Sequence, residues 1–406
     1  MPPSARKRVV LTPEQRAMYR DEKVTNFRLV SSLVASYAPD TLGPDHLASA
    51  ETQQYLSEIG AYAELAYSLL PIETVFKHLH VLLEPDFPLE GYPADGLLNT
   101  SVVCSFVGRT ADLPGFVAYR SDCRQLVVAI SGTNVDSAVQ ALYDIRTLPH
   151  RHPSGRGKVH TGFWRLYKGI RDAALKGLKQ GLRDFDVAEV VLCGHSMGSA
   201  VSQLLVLDLL RDDSLIGSVP IRFVGFGGPR VGTKGLVNLW RELVAKRRRR
   251  HGEHSFEEYA VKMHRDGVPV LPPKAFGYRH CVERPYYSRH GRLYHVPAHL
   301  GEYALFHVDE TTPPSASHTS STTSFLTSST LSSTSTSTST STSSHSDPIP
   351  LHPRGGHNYY SNRSMEQTAR SIRWFRKALL KGEDQLRDAY MAKVEKHRRK
   401  PLPATR

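Results

Sequence analysis

Cysteine is scarce in this chain, with four in 406 residues, at positions 104, 123, 193 and 281. Spacing that wide gives neither a disulfide framework nor a zinc pattern, and Cys193 lies inside an apolar run, so a reduced compartment is expected. Long hydrophobic runs are also missing. The longest, such as QLVVAI (125–130), are strand-sized, which excludes a membrane-spanning helix of about 20 apolar residues. The opening MPPSARKRVVLTPEQ has basic residues but no apolar core behind them and does not read as a secretory signal. An intracellular protein, cytoplasmic or peripheral to a membrane, is the expectation.

What is present suits a globular enzyme. Apolar residues make up 40% of a chain long enough for one large domain with extensions. The net charge is +13, from 52 Lys and Arg against 39 Asp and Glu, concentrated in KRRRR (246–250) and HRRK (397–400). Such charge favours a solvated basic patch or peripheral contact with an anionic membrane surface. Nucleic acid is not expected, because no pattern of stacking aromatics accompanies it.

Periodicity divides the chain. Leu56, Ile59, Tyr62 or Ala63, Ala66 and Leu70 recur at helical spacing before Pro71. GFVAYRS (115–121) and CRQLVVAISGT (123–133) read as strands joined at Ser121–Asp122, followed by helices over 136–145 and 161–182. AEVVLC (188–193) is too apolar to be half exposed, which argues for a parallel sheet covered on both faces. A helix over 199–210, strands over 221–229 and 256–263, and a helix near 236 running into a charged loop complete an α/β alternation. Residues 311–346 hold 28 Ser or Thr in 36 positions, too little apolar surface to repay ordering, and read as a disordered insertion. The expected organisation is an N-terminal extension (1–50), a core (51–310), that insertion (311–346), a C-terminal part of the core (347–380) and a charged basic tail (381–406) that forms a final helix or an extended tail.

Gly194-His195-Ser196-Met197-Gly198 fits G-x-S-x-G, between the buried strand and a helix. The turn strains the serine backbone and brings strand and helix too close for a Cβ at 194 or 198. The alternative is a purely structural turn. A serine hydroxyl needs a histidine to take its proton, and the histidine a carboxylate to fix its tautomer, in the chain order Ser…Asp…His. Asp266 follows a strand and stands in a proline-bearing loop, whereas Asp208, Asp212 and Asp213 lie at a helix end. After Asp266 the histidine candidates are His280, His290, His295, His299, His307 and His357, with His345 and His352 in less ordered sequence. His357, in GGHNYY at the mouth of a helix, leads by pattern, ahead of His299 and His280.

Five motifs in order resemble the class 3 lipases, the fungal triacylglycerol lipase-like family. They are LVVAISGT (126–133), VHTGF (159–163), GHSMGSA (194–200), FGGPRVG (226–232) and DGVPVLPP (266–273), within a resemblance that runs over roughly 50–375. It implies an α/β-hydrolase with a mostly parallel central sheet, helices on both faces and a short lid helix. It further implies Ser196 as nucleophile, Asp266 as acid and His357 as base, the last because the family's histidine opens an H-x-x-Y loop. The oxyanion hole would be the backbone N–H groups of Thr133 and Met197, with the Thr133 hydroxyl as a further donor. His160, His195 and His280 match family histidines that pack. No metal or organic cofactor is implied. The expected activity is acylglycerol ester hydrolysis through an acyl-enzyme, with a phospholipase, a small-ester or feruloyl esterase, and an idle membrane-associated scaffold as alternatives. Ser131 stands where the family has arginine, and 134–146 holds the lid's place without the usual tryptophan.

Overall fold

The computed structural model describes residues 11–20, 22, 26–132, 149–310 and 350–399. Thr133, the expected lid over 134–146 and the Ser/Thr-rich insertion therefore lie outside the described residues.

Eight strands form the central sheet in chain order: β1 (Thr100–Val107), β2 (Pro114–Arg120), β3 (Gln125–Ile130), β4 (Glu189–His195), β5 (Ile221–Phe226), β6 (Phe256–Met263), β7 (Pro285–Arg289) and β8 (Arg292–His295). Neighbours from β3 to β7 pair parallel, and the two ends of the sheet are antiparallel. The apolar composition of β3 and β4 follows from burial on both faces. Leu126, Val128 and Ile130 point into one core, and Val127 and Ala129 into the other.

Among the helices are α1 (Arg28–Val34), α2 (Ala50–Leu65), α3 (Thr161–Asp184), α4 (Met197–Arg211), α5 (Lys234–His251), α6 (Met365–Leu379) and α7 (Leu386–Arg398). α3, α4 and α5 cover the face holding Leu126, through residues such as Tyr167, Leu204 and Trp240. α2, α6 and α7 cover the opposite face through Ile59, Tyr62, Phe375 and Tyr390. Parallel strands aim their carboxyl ends at one edge of the sheet, where α/β proteins place their ligands.

Two stretches differ from the sequence reading, while the charged region beyond 381, read as a helix or tail, forms a helix. Residues 246–250 belong to α5 rather than to a charged loop, because Lys and Arg are good helix formers and suit a helix C-terminus. There Arg247 is buried, donating to the Ser255 and Val219 carbonyls at 3.1 and 2.6 Å. Arg248 donates to the Phe256 carbonyl, and Arg250 pairs with Asp213 at 3.0 Å. Residues 1–50 include a strand, Tyr37–Leu42, that pairs with Leu305–Val308. The region beyond 381 carries α7, whose Tyr390 stacks on Phe87 at 4.7 Å.

Buried histidines make the fold acid-sensitive. His160 caps the N-terminus of α3, and burial pushes its pKa down to about 4. The unfolded chain then binds more protons than the folded one between about pH 4 and 6.5, so stability is full above 6.5 and falls as pH drops. Asn keeps a capping oxygen without a titrating ring. Between pH 7 and pH 5, wild type should lose about 2 kcal/mol more stability than His160→Asn in urea denaturation. Equal losses would contradict this.

Candidate active site

Ser196 follows β4 and caps α4 with φ 58° and ψ −127°, a conformation that residues other than glycine rarely adopt. The backbone tolerates it because strand and helix meet closely. A Cβ on Gly194 would lie 2.4 Å from the Gly198 carbonyl carbon, and one on Gly198 would lie 2.1 Å from the Ile130 carbonyl oxygen. The Ser196 N–H donates to the Phe226 carbonyl at 2.8 Å, which ties the turn to the end of β5. Its Oγ is buried and has no hydrogen-bond partner among the described residues.

Asp266 is fully buried three residues beyond β6. Its Oδ1 accepts the Val268 N–H at 2.8 Å. Its Oδ2 accepts the Tyr360 hydroxyl at 2.6 Å and His357 Nδ1 at 2.8 Å. A carboxylate only accepts, so this contact puts the imidazole proton on Nδ1 and leaves the Nε2 lone pair available. His357 Nε2, like Ser196 Oγ, is buried without a partner among the described residues. Burial, followed by the adjacent carboxylate, pushes the Tyr360 pKa well above its ordinary value, so its hydroxyl remains a donor. Gly227 makes room for the group. With φ +58°, a Cβ there would lie 2.7 Å from the Tyr360 oxygen and 2.8 Å from Asp266 Oδ2.

Two further contacts join the serine turn to the His357 loop. His195 Nε2 donates to the His357 carbonyl at 2.8 Å, and the two rings lie 4.4 Å apart. The Tyr67 hydroxyl lies 3.0 Å from His195 Nδ1. Burial, with His357 alongside, pushes the His195 pKa well down, which keeps the ring neutral and fits a donor Nε2 with an acceptor Nδ1. The sequence reading gave His195 a packing role only; in the structure it also ties residue 195 to the backbone of residue 357. Its place in the G-x-S-x-G motif was the available signal. Tyr67, some 130 residues away in the chain, carried none.

The other candidates lie elsewhere. His280 Nε2 donates to the Pro269 carbonyl at 2.9 Å, His290 pairs with Glu310 at 2.9 Å, and His299 is exposed beside Asp40. His295 packs on Tyr286 and His307 stacks on Tyr37. Asp208 receives Arg171 at 2.8 Å, and Asp213 pairs with Arg250 and His251. Met197 is the first residue of α4. Ser131, in the family's arginine position, is buried with no partner for its Oγ among the described residues.

A parallel-centred sheet, a strained serine between strand and helix, and a buried Asp–His pair at the same edge make this an α/β-hydrolase fold. A structure of a Rhizomucor miehei lipase deletion mutant in complex with its propeptide superposes with a TM-score of 0.50 and 19% identity, covering 75% of this chain and 90% of that one. Residues 127–276 match the family model for lipase (class 3). The chain is 32% identical over 172 residues to a secreted mono- and diacylglycerol lipase of Malassezia globosa, covering 40% of this chain and 51% of that protein. It is 30% identical over 141 residues to a lipase of Rhizomucor miehei, covering 34% and 36%. The chain thus spans about half or less of the length of these relatives.

These relatives correct one expectation. Several are named as secreted lipases, which overturns the intracellular assignment. That assignment rested partly on four free cysteines. A core of this size does not need disulfides, so unpaired thiols do not identify a compartment.

Proposed function

We propose that this chain is a serine hydrolase that cleaves carboxylic esters of acylglycerols through an acyl-enzyme. The observation that carries the reading is the buried Asp266–His357 hydrogen bond beside the strained Ser196 turn. His357 Nε2 takes the Ser196 proton, and the resulting alkoxide attacks the ester carbonyl. The Met197 and Thr133 N–H groups hold the oxyanion, where one such donor is worth roughly 3 kcal/mol. His357 then protonates the departing alcohol, and the acyl group stays on Ser196. Water, deprotonated by His357, releases the fatty acid. Asp266 holds the Nδ1–H tautomer and stabilises the transient imidazolium.

The relatives' names support mono- and diacylglycerols as substrates and an extracellular setting. The test is a hydrolysis screen of glycerides and phospholipids with wild type and three variants. Ser196→Ala and His357→Ala should abolish glyceride hydrolysis, and Asp266→Asn should lower kcat on the order of 10⁴, as in triads whose acid is neutralised. Rates within tenfold of wild type would remove that residue from the mechanism. A preference for phospholipid would replace the substrate assignment.

Peripheral contact with an anionic membrane is proposed in a restricted form. Among the described residues no helix is long and apolar enough to cross a membrane. Within 246–250, Arg247, Arg248 and Arg250 are engaged in the fold, leaving Lys246 and Arg249 exposed. This end of α5 sits by the amino ends of β5 and β6, opposite the edge holding Ser196. It therefore adds long-range attraction and does not orient the site toward lipid. Lys246→Gln with Arg249→Gln should weaken co-sedimentation with anionic vesicles at low salt, without altering turnover of a soluble ester. Unchanged vesicle binding would remove this role.

A further inference from the structure

We propose that Glu22 and Asn26, in a stretch that precedes both the family match and the motifs resembling it, are positioning residues for His357. This rests on the serine-hydrolase reading and adds to it a part of the chain that the family resemblance does not reach.

The loop carrying His357 has little regular pairing of its own. Gly355 and Gly356 both have positive φ, and the Gly356 N–H donates to the His264 carbonyl at 2.8 Å. Besides the contacts that His195 and Asp266 make with it, the loop is held by the N-terminal stretch. The Asn26 carbonyl accepts the His357 N–H at 3.1 Å, and Asn26 Oδ1 accepts the Asn358 N–H at 3.1 Å. The fit is close: a Cβ on Gly356 would lie 2.4 Å from Asn26 Oδ1. Asn26 Nδ2 donates to the carboxylate of Glu22, a side chain with only 8% exposure. The same carboxylate accepts the Tyr359 hydroxyl at 2.7 Å and Arg28 Nη1 at 2.7 Å. Arg28 Nη1 also donates to the Gly355 carbonyl at 3.0 Å. Gly355, His357, Asn358 and Tyr359 are thus all bound to one cluster organised by a buried carboxylate.

Phe27 adds a direct contact. Its ring stands edge-on to the His357 imidazole, 5.1 Å between centroids, and its backbone holds φ +53° to do so. A non-glycine residue kept in that region marks a position that its surroundings constrain. Asp266 fixes the imidazole through Nδ1, whereas Glu22 and Asn26 fix the backbone from which the ring projects. Displacement of a catalytic group by about 1 Å can cost about 100-fold in rate, so the backbone anchor matters for proton transfer and little for substrate affinity.

The experiment measures kcat and KM of the full chain on p-nitrophenyl butyrate, with kcat expressed per titrated active site so that unfolded protein does not count. Asn26→Ala should lower kcat about 10- to 100-fold with KM unchanged. Asn26→Asp faces the Glu22 carboxylate and should lose comparably. Glu22→Gln, which takes the charge from the shared acceptor of Asn26, Arg28 and Tyr359, should also lower kcat with KM unchanged. Wild-type kcat in these single variants, or a loss confined to KM, would overturn the proposal. A wild type that turns over no ester would instead overturn the hydrolase reading, and this inference with it.

Discussion

The rest of the site is arranged around the Asp266 carboxylate, because a carboxyl group with no solvent exposure must be met by donors from the protein itself. It accepts from the Val268 backbone, the Tyr360 hydroxyl and the His357 ring. Each donor imposes a requirement elsewhere. Val268 requires the tight turn after β6. Tyr360 and His357 require a loop close to 90 residues further along the chain to return to this spot. Gly227 is needed because any side chain there would occupy the space of the carboxylate and the tyrosine. Leaving one partner of such a group unmet costs more than the bond contributes when formed, so the cluster is specified as a unit.

The sheet brings Ser196 to this cluster. β4, β5 and β6 are adjacent and parallel, so the serine turn, Gly227 and Asp266 emerge side by side at one edge. The links between them are short. Ser196 N–H donates to the carbonyl of Phe226, whose neighbour Gly227 abuts His357, and His195 donates to the His357 carbonyl. Under the proposed mechanism this sets two unpartnered buried atoms, Ser196 Oγ and His357 Nε2, on facing segments. A proton can pass between such groups with little reorganisation once substrate is bound.

Much of this was legible in the sequence wherever a local constraint leaves a mark. The glycines flanking His195-Ser196-Met197 record the strand–helix approach, and the apolar β3 and β4 record burial on two faces. Asp266 was legible because it follows a strand and enters a proline-rich turn. His357 was only one of several histidines by pattern, and the family motif singled it out. Interactions between distant segments left no such mark. Glu22, Asn26 and Tyr67 reach the site through pairings that no periodicity encodes. KRRRR read as a loop because charge suggests solvent, yet Arg247 is buried against two backbone carbonyls. The compartment was misjudged for a different reason: thiol pairing reflects folding need as well as environment.

The central claim is that the strained serine is an activated nucleophile served by the buried Asp–His pair. Reaction with a fluorophosphonate, followed by intact mass and peptide mapping, tests it most directly. The account predicts one adduct per chain, located on Ser196, formed rapidly by wild type and on the order of 10³-fold or more slowly when His357 is replaced by Ala. No adduct on Ser196, or labelling at an equal rate without His357, would contradict it.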